Sequence, residues 1–300
     1  MYKFPINQQT NVEFEVNEFA NLLAEYDSIV VIIDSQVRQI HRSYILSKYL
    51  SNDKDVFEFS IDAKEENKSL SSACKLIKEI DELPITKNSC LVAIGGGVIG
   101  DIAGFIASIL LRGINYVAVP TTFLAMIDSS FGGKNGLNGA NGKNRIGTVY
   151  QPKQILIDLK FVKSLDDQVF LSSLSEVIKA AMLHSPNLLD YLSENSEVIK
   201  NKDSQALRNL VSKAIQIKHH FVKDDVNDSG KRQLLNLGHS FAHAIELLSG
   251  YKISHGEAVA FGMLMACKYS VEKKYCPEDV YKNLKNCLEL YISTATLQSK

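Results

Sequence analysis

The sequence predicts an α/β N-terminal domain with a parallel sheet, followed by an all-helical C-terminal domain. Two observations predict it. Up to about residue 160, short β-branched runs alternate with helical patterns, the signature of a parallel sheet covered by helices. Beyond residue 160, strand-like runs stop and apolar residues recur only at helical spacing. A length of 300 residues suits two domains of roughly 150 residues each, so the expected domains are 1–160 and 161–300.

The elements follow in order. Val12, Phe14 and Val16 alternate with polar residues, as in a half-buried strand. Ile29 to Ile33 is a continuous β-branched run, suited to a strand buried on both faces, and it ends at Asp34. Val56 to Phe59 is a further strand. Leu70, Ala73, Cys74, Ile77 and Ile80 fall on one helical face. Cys90 to Ile94 is a second buried strand that runs into Gly95-Gly96-Gly97, and a helical pattern follows from Val98 to about Leu110. Tyr116 to Val119 is a strand stopped by Pro120, and Ile155 to Asp158 is another. The stretch from Gly132 to Asn144, rich in glycine and asparagine, reads as a long loop. Helices are expected over Val169–Leu183, Leu207–Val222, Phe241–Leu248 and Ala258–Tyr269.

Composition narrows the function classes. With 33 basic and 34 acidic residues the net charge is -1, so no global field draws nucleic acid or an anionic membrane. The five cysteines are scattered without a CxxC pair, which suits a reducing compartment. No signal-peptide core is visible, and no apolar run approaches the ~20 residues that span a bilayer. A cytoplasmic protein is expected.

Four constellations can carry chemistry. The strand–GGGVIGD–helix passage exposes successive N–H groups at a helix start, where a pyrophosphate is favoured. The plain alternative is a tight turn between sheet and helix. Asp34 ends a buried strand, where a carboxylate accepts ribose hydroxyls or merely caps the next helix. Asp128, Lys134, Lys143 and Asn144, with Arg112 before them, suit a phosphorylated or carboxylated small molecule; a solvated surface loop is the alternative. Finally, His239 and His243 share a helical face, His255 follows, and Glu176 lies in a predicted helix. Imidazoles and a carboxylate suit zinc, although a bare HxxxH is weak. The chain lacks HExxH, against a standard metalloprotease.

Taken in order, many motifs resemble one family. They are Gly95 to Asp101, Arg112-Gly113, Val119 to Thr122, Ala125 to Ser130, Gly132 to Lys134, Gly142 to Asn144, Glu176 to Lys179, Leu235 to His239, His243 to Glu246 and His255 to Val259. Together they resemble the 3-dehydroquinate synthases, within the sugar-phosphate cyclases, across nearly the whole chain. The resemblance implies NAD, a divalent metal (Zn2+ or Co2+), a homodimer and a small phosphorylated sugar-acid substrate. The implied reaction converts 3-deoxy-D-arabino-heptulosonate 7-phosphate to 3-dehydroquinate and phosphate.

Carried over by residue, Glu176, His239 and His255 become the metal ligands, and His243 faces substrate instead. Asp34, Glu65, Lys68, Gly96, Gly97, Asp101, Thr121, Thr122, Leu124, Asp128 and Ser129 line the NAD site. Lys134, Lys143, Asn144, Lys179, Lys218, Arg232 and Asn236 surround the substrate, and Arg112 reaches the partner subunit's substrate. The sequence departs from the family at an acidic pair before Arg232, here Val226 and Asp228, and at Asn135, Asp166 and Ala242. Family members also continue beyond the equivalent of Lys300 with a Lys-rich segment that adds a cation to the phosphate site. Two alternatives stand beside this reading. One is another sugar-phosphate cyclase, acting for instance on sedoheptulose 7-phosphate. The other is a truncated paralogue that binds NAD without turnover.

Overall fold

A computed structural model describes residues 10–15, 19–49, 54–226, 228–250 and 252–292. The chain divides into two compact units, Met1–Phe161 and Val162–Lys300.

The first unit contains β1 (Asn11–Phe14), α1 (Phe19–Leu23), β2 (Ile29–Asp34), α2 (Ser35–Tyr49), β3 (Val56–Ile61), α3 (Leu70–Asp81), β4 (Cys90–Gly95), α4 (Gly97–Ile109), β5 (Asn115–Pro120), β6 (Lys134–Gly139), β7 (Gly142–Val149) and β8 (Gln154–Ile157). Six strands form one sheet in the order β1-β8-β5-β4-β2-β3, and every pairing is parallel. The continuous β-branched run explains the centre: Ile29 to Ile33 are all fully buried, as a strand covered on both faces requires. Val16, expected in the first strand, lies outside the described residues. The order also fixes where a ligand binds. After β2 the chain moves to one side of the sheet, and after β4 it moves to the other. In such sheets ligands bind outside the carboxyl ends of the strands at this reversal. Asp34 ends β2 and the glycine run ends β4.

One expectation is corrected. The stretch from Gly132 to Asn144 is not a loop: most of it is an antiparallel hairpin of β6 and β7, with Leu137 opposite Ile146. Glycines on and beside the hairpin permit close approach. A β-carbon on Gly147 stands 2.3 Å from the Asn135 carbonyl oxygen on the facing strand, and one on Gly104 stands 2.0 Å from the Asn135 side chain. The low β-propensity of Gly and Asn hid the strands.

Among the described residues, the regular elements of the second unit are all helical. Its elements are α5 (Asp167–His184), α6 (Pro186–Glu194), α7 (Ser196–Lys200), α8 (Ser204–Val222), α9 (His239–Leu248), α10 (His255–Glu272) and α11 (Glu278–Glu289). Asp166 and Asp203 cap α5 and α8 by accepting two backbone N–H groups each. Ser254 and Glu257 form a reciprocal capping box at the start of α10. Glycines bring these helices close: a β-carbon on Gly262 of α10 stands 2.1 Å from the Gly238 carbonyl oxygen, next to His239. No helix among the described residues is long and apolar enough to cross a membrane.

Candidate active site

In the first unit, a cleft at the carboxyl edge of the sheet is lined by Gly95, Gly96, Gly97, Gly100, Ser129 and Asn135, among others. Gly96 is extended and precedes α4 without offering a side-chain cap, so the first N–H groups of α4 face the cleft as an anion site. The glycines also relieve crowding. A β-carbon on Gly96 stands 2.8 Å from Thr122 Cγ2, and one on Gly97 stands 3.2 Å from Ser129 Oγ. Thr121 follows β5 with its Oγ1 buried and without a hydrogen-bond partner. Leu124 precedes a π-helical turn, Ala125–Ser129, that carries Asp128 and Ser129; such turns recur at functional sites. Asp34 accepts the Gln36 N–H at 3.0 Å, so the capping reading of this residue holds. Burial nevertheless raises its pKa despite the bonds from Gln36 and Val37.

Behind the glycine turn lies a polar network. Lys68 is 6 % exposed. Its Nζ pairs with Asp101 at 2.5 Å and donates to Asn144 Oδ1 at 2.6 Å. Burial pushes the Asp101 carboxyl up, and Lys68 opposes it. The Asp101 carboxylate also accepts the Gly136 N–H at 3.3 Å. Glu65 accepts from Asn138 at 2.9 Å. Residues expected at NAD (Glu65, Lys68, Asp101) and at substrate (Asn144) thus meet on the hairpin. Lys134 begins β6 and Lys143 lies on β7, both exposed. Arg112 is exposed, with a left-handed φ of 66°, a conformation that costs a non-glycine residue energy.

In the second unit, Glu176 of α5, His239 of α9 and His255 of α10 offer donor atoms that all lie within 4.8 Å of one another. Glu176 is 6 % exposed, and its Oε1 accepts no hydrogen bond. That oxygen faces Nε2 of His255 at 3.5 Å and Nε2 of His239 at 3.8 Å. Donors on a tetrahedral Zn2+ with bonds of roughly 2.1 Å stand about 3.4 Å apart. Two imidazole nitrogens and an orphaned buried carboxylate oxygen therefore fit Zn2+ or Co2+ and leave a coordination position open. Charge is tuned around them. Burial disfavours the Glu176 carboxylate, but Lys179 beside it and the two imidazoles outweigh burial and hold its pKa well below the usual range. Burial and Lys179 lower His239 to about 4. For His255, Glu176 and Glu246 overcome burial and raise it to about 9.

His243 does not join the donor group. It is exposed on α9 with its ring 5.6 Å from that of His239. Lys179 (4 % exposed) is ion-paired with Glu176. Lys218 and Arg232 are also buried, while Asn236 is exposed. Val226, one of the departures from the family, meets Arg232 through its main chain. The Arg232 Nη1 donates to the Val226 carbonyl oxygen at 2.7 Å. Asp225 holds the loop by accepting the N–H groups of Ser229, Gly230 and Arg232 at 2.8 to 2.9 Å. Two features escaped the sequence reading. Glu246, buried at His255 Nδ1, falls on the His239 face of α9 two turns later. Asp158 accepts from Tyr44, Tyr49 and Lys48, partners more than a hundred residues away.

A nucleotide-type parallel sheet and a helical unit with a His/His/Glu donor set define a class, the enzymes that pair a dinucleotide fold with a metal centre. Residues 58–172 match the family model of the 3-dehydroquinate synthase N-terminal domain, and residues 173–299 match that of its C-terminal domain. The 3-dehydroquinate synthase of Dictyoglomus thermophilum is 37% identical, over 81% of this chain and 76% of the relative. The chain belongs to the 3-dehydroquinate synthase family, among the sugar-phosphate cyclases.

Solved structures agree. A 2-epi-5-epi-valiolone synthase from Streptomyces hygroscopicus, with NAD+ and Zn2+ bound, is 26% identical. It superposes with a TM-score of 0.86 over 93% of this chain and 79% of that one. A 2-deoxy-scyllo-inosose synthase complexed with carbaglucose-6-phosphate, NAD+ and Co2+ is 25% identical, with a TM-score of 0.81 over 93% of this chain and 79% of that one.

Proposed function

We propose that this chain converts 3-deoxy-D-arabino-heptulosonate 7-phosphate to 3-dehydroquinate and phosphate, a step of the shikimate pathway. The observation that carries the proposal is a His/His/Glu donor set in the same unit as three buried cations, Lys179, Lys218 and Arg232. Lys179 is held by Glu176 and Arg232 by the Val226 carbonyl, so buried positive charge is fixed in the unit that carries the donor set. NAD supplies a reversible hydride acceptor, and Zn2+ or Co2+ polarises the reacting oxygen.

The chain's own residues do the rest. The α4 N-terminus and glycine turn hold the pyrophosphate of NAD, with Asp34 at its ribose. Glu176, His239 and His255 hold the metal. The planar fork of Arg232 matches the substrate carboxylate, and the Val226 carbonyl keeps it oriented. Lys134, Lys143 and Asn144 stabilise the departing phosphate, with Lys179, Lys218, Asn236 and His243 around the sugar. Arg112 serves the partner's site in a cytoplasmic homodimer.

The test is phosphate release with NAD and Zn2+ present. Release from the heptulosonate phosphate, and not from sedoheptulose 7-phosphate, is expected. Release from sedoheptulose 7-phosphate alone overturns the substrate. Release from neither, with NAD still bound, overturns turnover itself.

A further inference from the structure

Glu246 is an ionisable side chain that this reaction does not use, yet it is 4 % exposed. Burying a carboxylate costs several kcal/mol unless a partner compensates. Glu246 follows His239 by seven residues on α9, two helical turns, so both project from the same face. Its Oε2 faces Nδ1 of His255 at 3.5 Å. The other ring nitrogen, Nε2, faces Glu176 Oε1, also at 3.5 Å. One imidazole thus stands between two buried carboxylates and meets them with different nitrogens.

The chemistry assigns these contacts different roles. An imidazole that gives its Nε2 lone pair to a metal keeps its remaining proton on Nδ1. An acceptor at Nδ1 selects that tautomer and fixes the plane of the ring. His239 has the parallel arrangement, with Nδ1 facing the Leu237 carbonyl oxygen at 3.5 Å and Nε2 facing Glu176 at 3.8 Å. For His239 the orienting acceptor is main chain, which mutation cannot remove. For His255 it is a side chain.

We propose that Glu246 is a positioning residue that holds His255 with its proton on Nδ1 and its Nε2 turned toward Glu176, and so sets the affinity of the three-residue site for a divalent metal. The proposal rests on the metal reading of Glu176, His239 and His255 given above.

The experiment uses the full chain stripped of metal. Zn2+ is titrated against a chromophoric chelator, and Co2+ uptake is followed by its visible absorption. Glu246→Ala and Glu246→Leu, which lack the acceptor, should each lose about 10- to 100-fold in Zn2+ affinity and shift the Co2+ spectrum. Leu also fills the buried volume, so it carries the test if Ala does not fold. Glu246→Gln keeps an oxygen that accepts from Nδ1–H and should recover most of the affinity. Melting of the metal-free proteins and NAD binding should stay near wild type in the Leu and Gln variants. Unchanged Zn2+ affinity in the Leu variant overturns the proposal. So does an equal loss with Gln, or a Leu variant that fails to fold while Gln folds. A wild-type chain that takes up neither Zn2+ nor Co2+ overturns the metal reading instead.

Discussion

Gly256→Ala adds one methyl group beside His255 and should unseat the metal donors. A β-carbon at Gly256 stands 2.0 Å from the carbonyl oxygen of Ser172 and 2.5 Å from its carbon. Real contacts of this kind essentially never fall under 3.0 Å, so α10 must retreat from α5 by about 1 Å. The obstacle is helix backbone and cannot rotate away. Glu176 lies one turn beyond Ser172, and His255 is the neighbour of Gly256. The 3.5 Å gap between their donor atoms therefore opens by a similar amount, several times the roughly 0.2 Å that metal–ligand distances tolerate. Overpacking alone costs about 1–3 kcal/mol. For a domain of this size that lowers Tm by roughly 2–12 °C. Zn2+ affinity should fall by at least the roughly 10- to 100-fold that follows loss of an outer-shell contact. Calorimetry and a chelator competition measure both quantities. Gly100→Ala, where the added carbon meets nothing within 4 Å, is the control and should leave Zn2+ affinity unchanged. Wild-type metal affinity and Tm in Gly256→Ala would refute the argument.

Three further predictions concern the first unit. Asp158→Ala leaves Lys48 and Tyr49 without their buried acceptor; it should cost about 3–5 kcal/mol, or roughly 6–20 °C in Tm, and a shift under about 2 °C contradicts this. Burial works against the Asp158 carboxylate, but Lys48, Tyr44 and Tyr49 hold its pKa below the usual value. Its contribution is therefore complete above the unfolded pKa of about 3.9 and lost as pH falls through the lower folded value. Asp158→Asn should flatten that acid loss in unfolding titrations. Lys68→Met strands the Asp101 carboxylate and should cost about 3–5 kcal/mol, whereas Lys68→Met with Asp101→Leu should recover much of it. Urea unfolding checks this: single-mutant costs that simply add would show that the pair is not coupled.

The fold was legible where side chains repeat with a period. β2 announces itself as a buried β-branched run and β4 as a continuous apolar one, and α5, α8 and α10 as stripes of apolar residues. The hairpin of β6 and β7 was not legible, because its strands are specified by where glycine lets backbones touch, and such contacts are long-range. The metal donors were visible only as separate motifs. Glu176 and His255 are brought together by the packing of α10 on α5 through Gly256. His239 comes with them through Gly238 and Gly262. Spacing alone favoured His243 beside His239, since local periodicity carries no information about α5. Glu246 had a local signal, its two-turn offset from His239, but a carboxylate on a helix is ordinarily a solvated one. The Asp158 cluster had no local signal at all.

The loop before Arg232 changes what a comparison of sequences can say about this chain. Position 226 holds valine, so a scan for an acidic partner finds a loss there. The guanidinium nonetheless has an acceptor at that residue, a peptide oxygen that every residue type carries. That contact does not depend on the side chain at 226, whereas the path of the loop depends on the Asp225 carboxylate. Drift at 226 among related chains should then leave the arginine anchored. A change at 225, one residue away, should displace it.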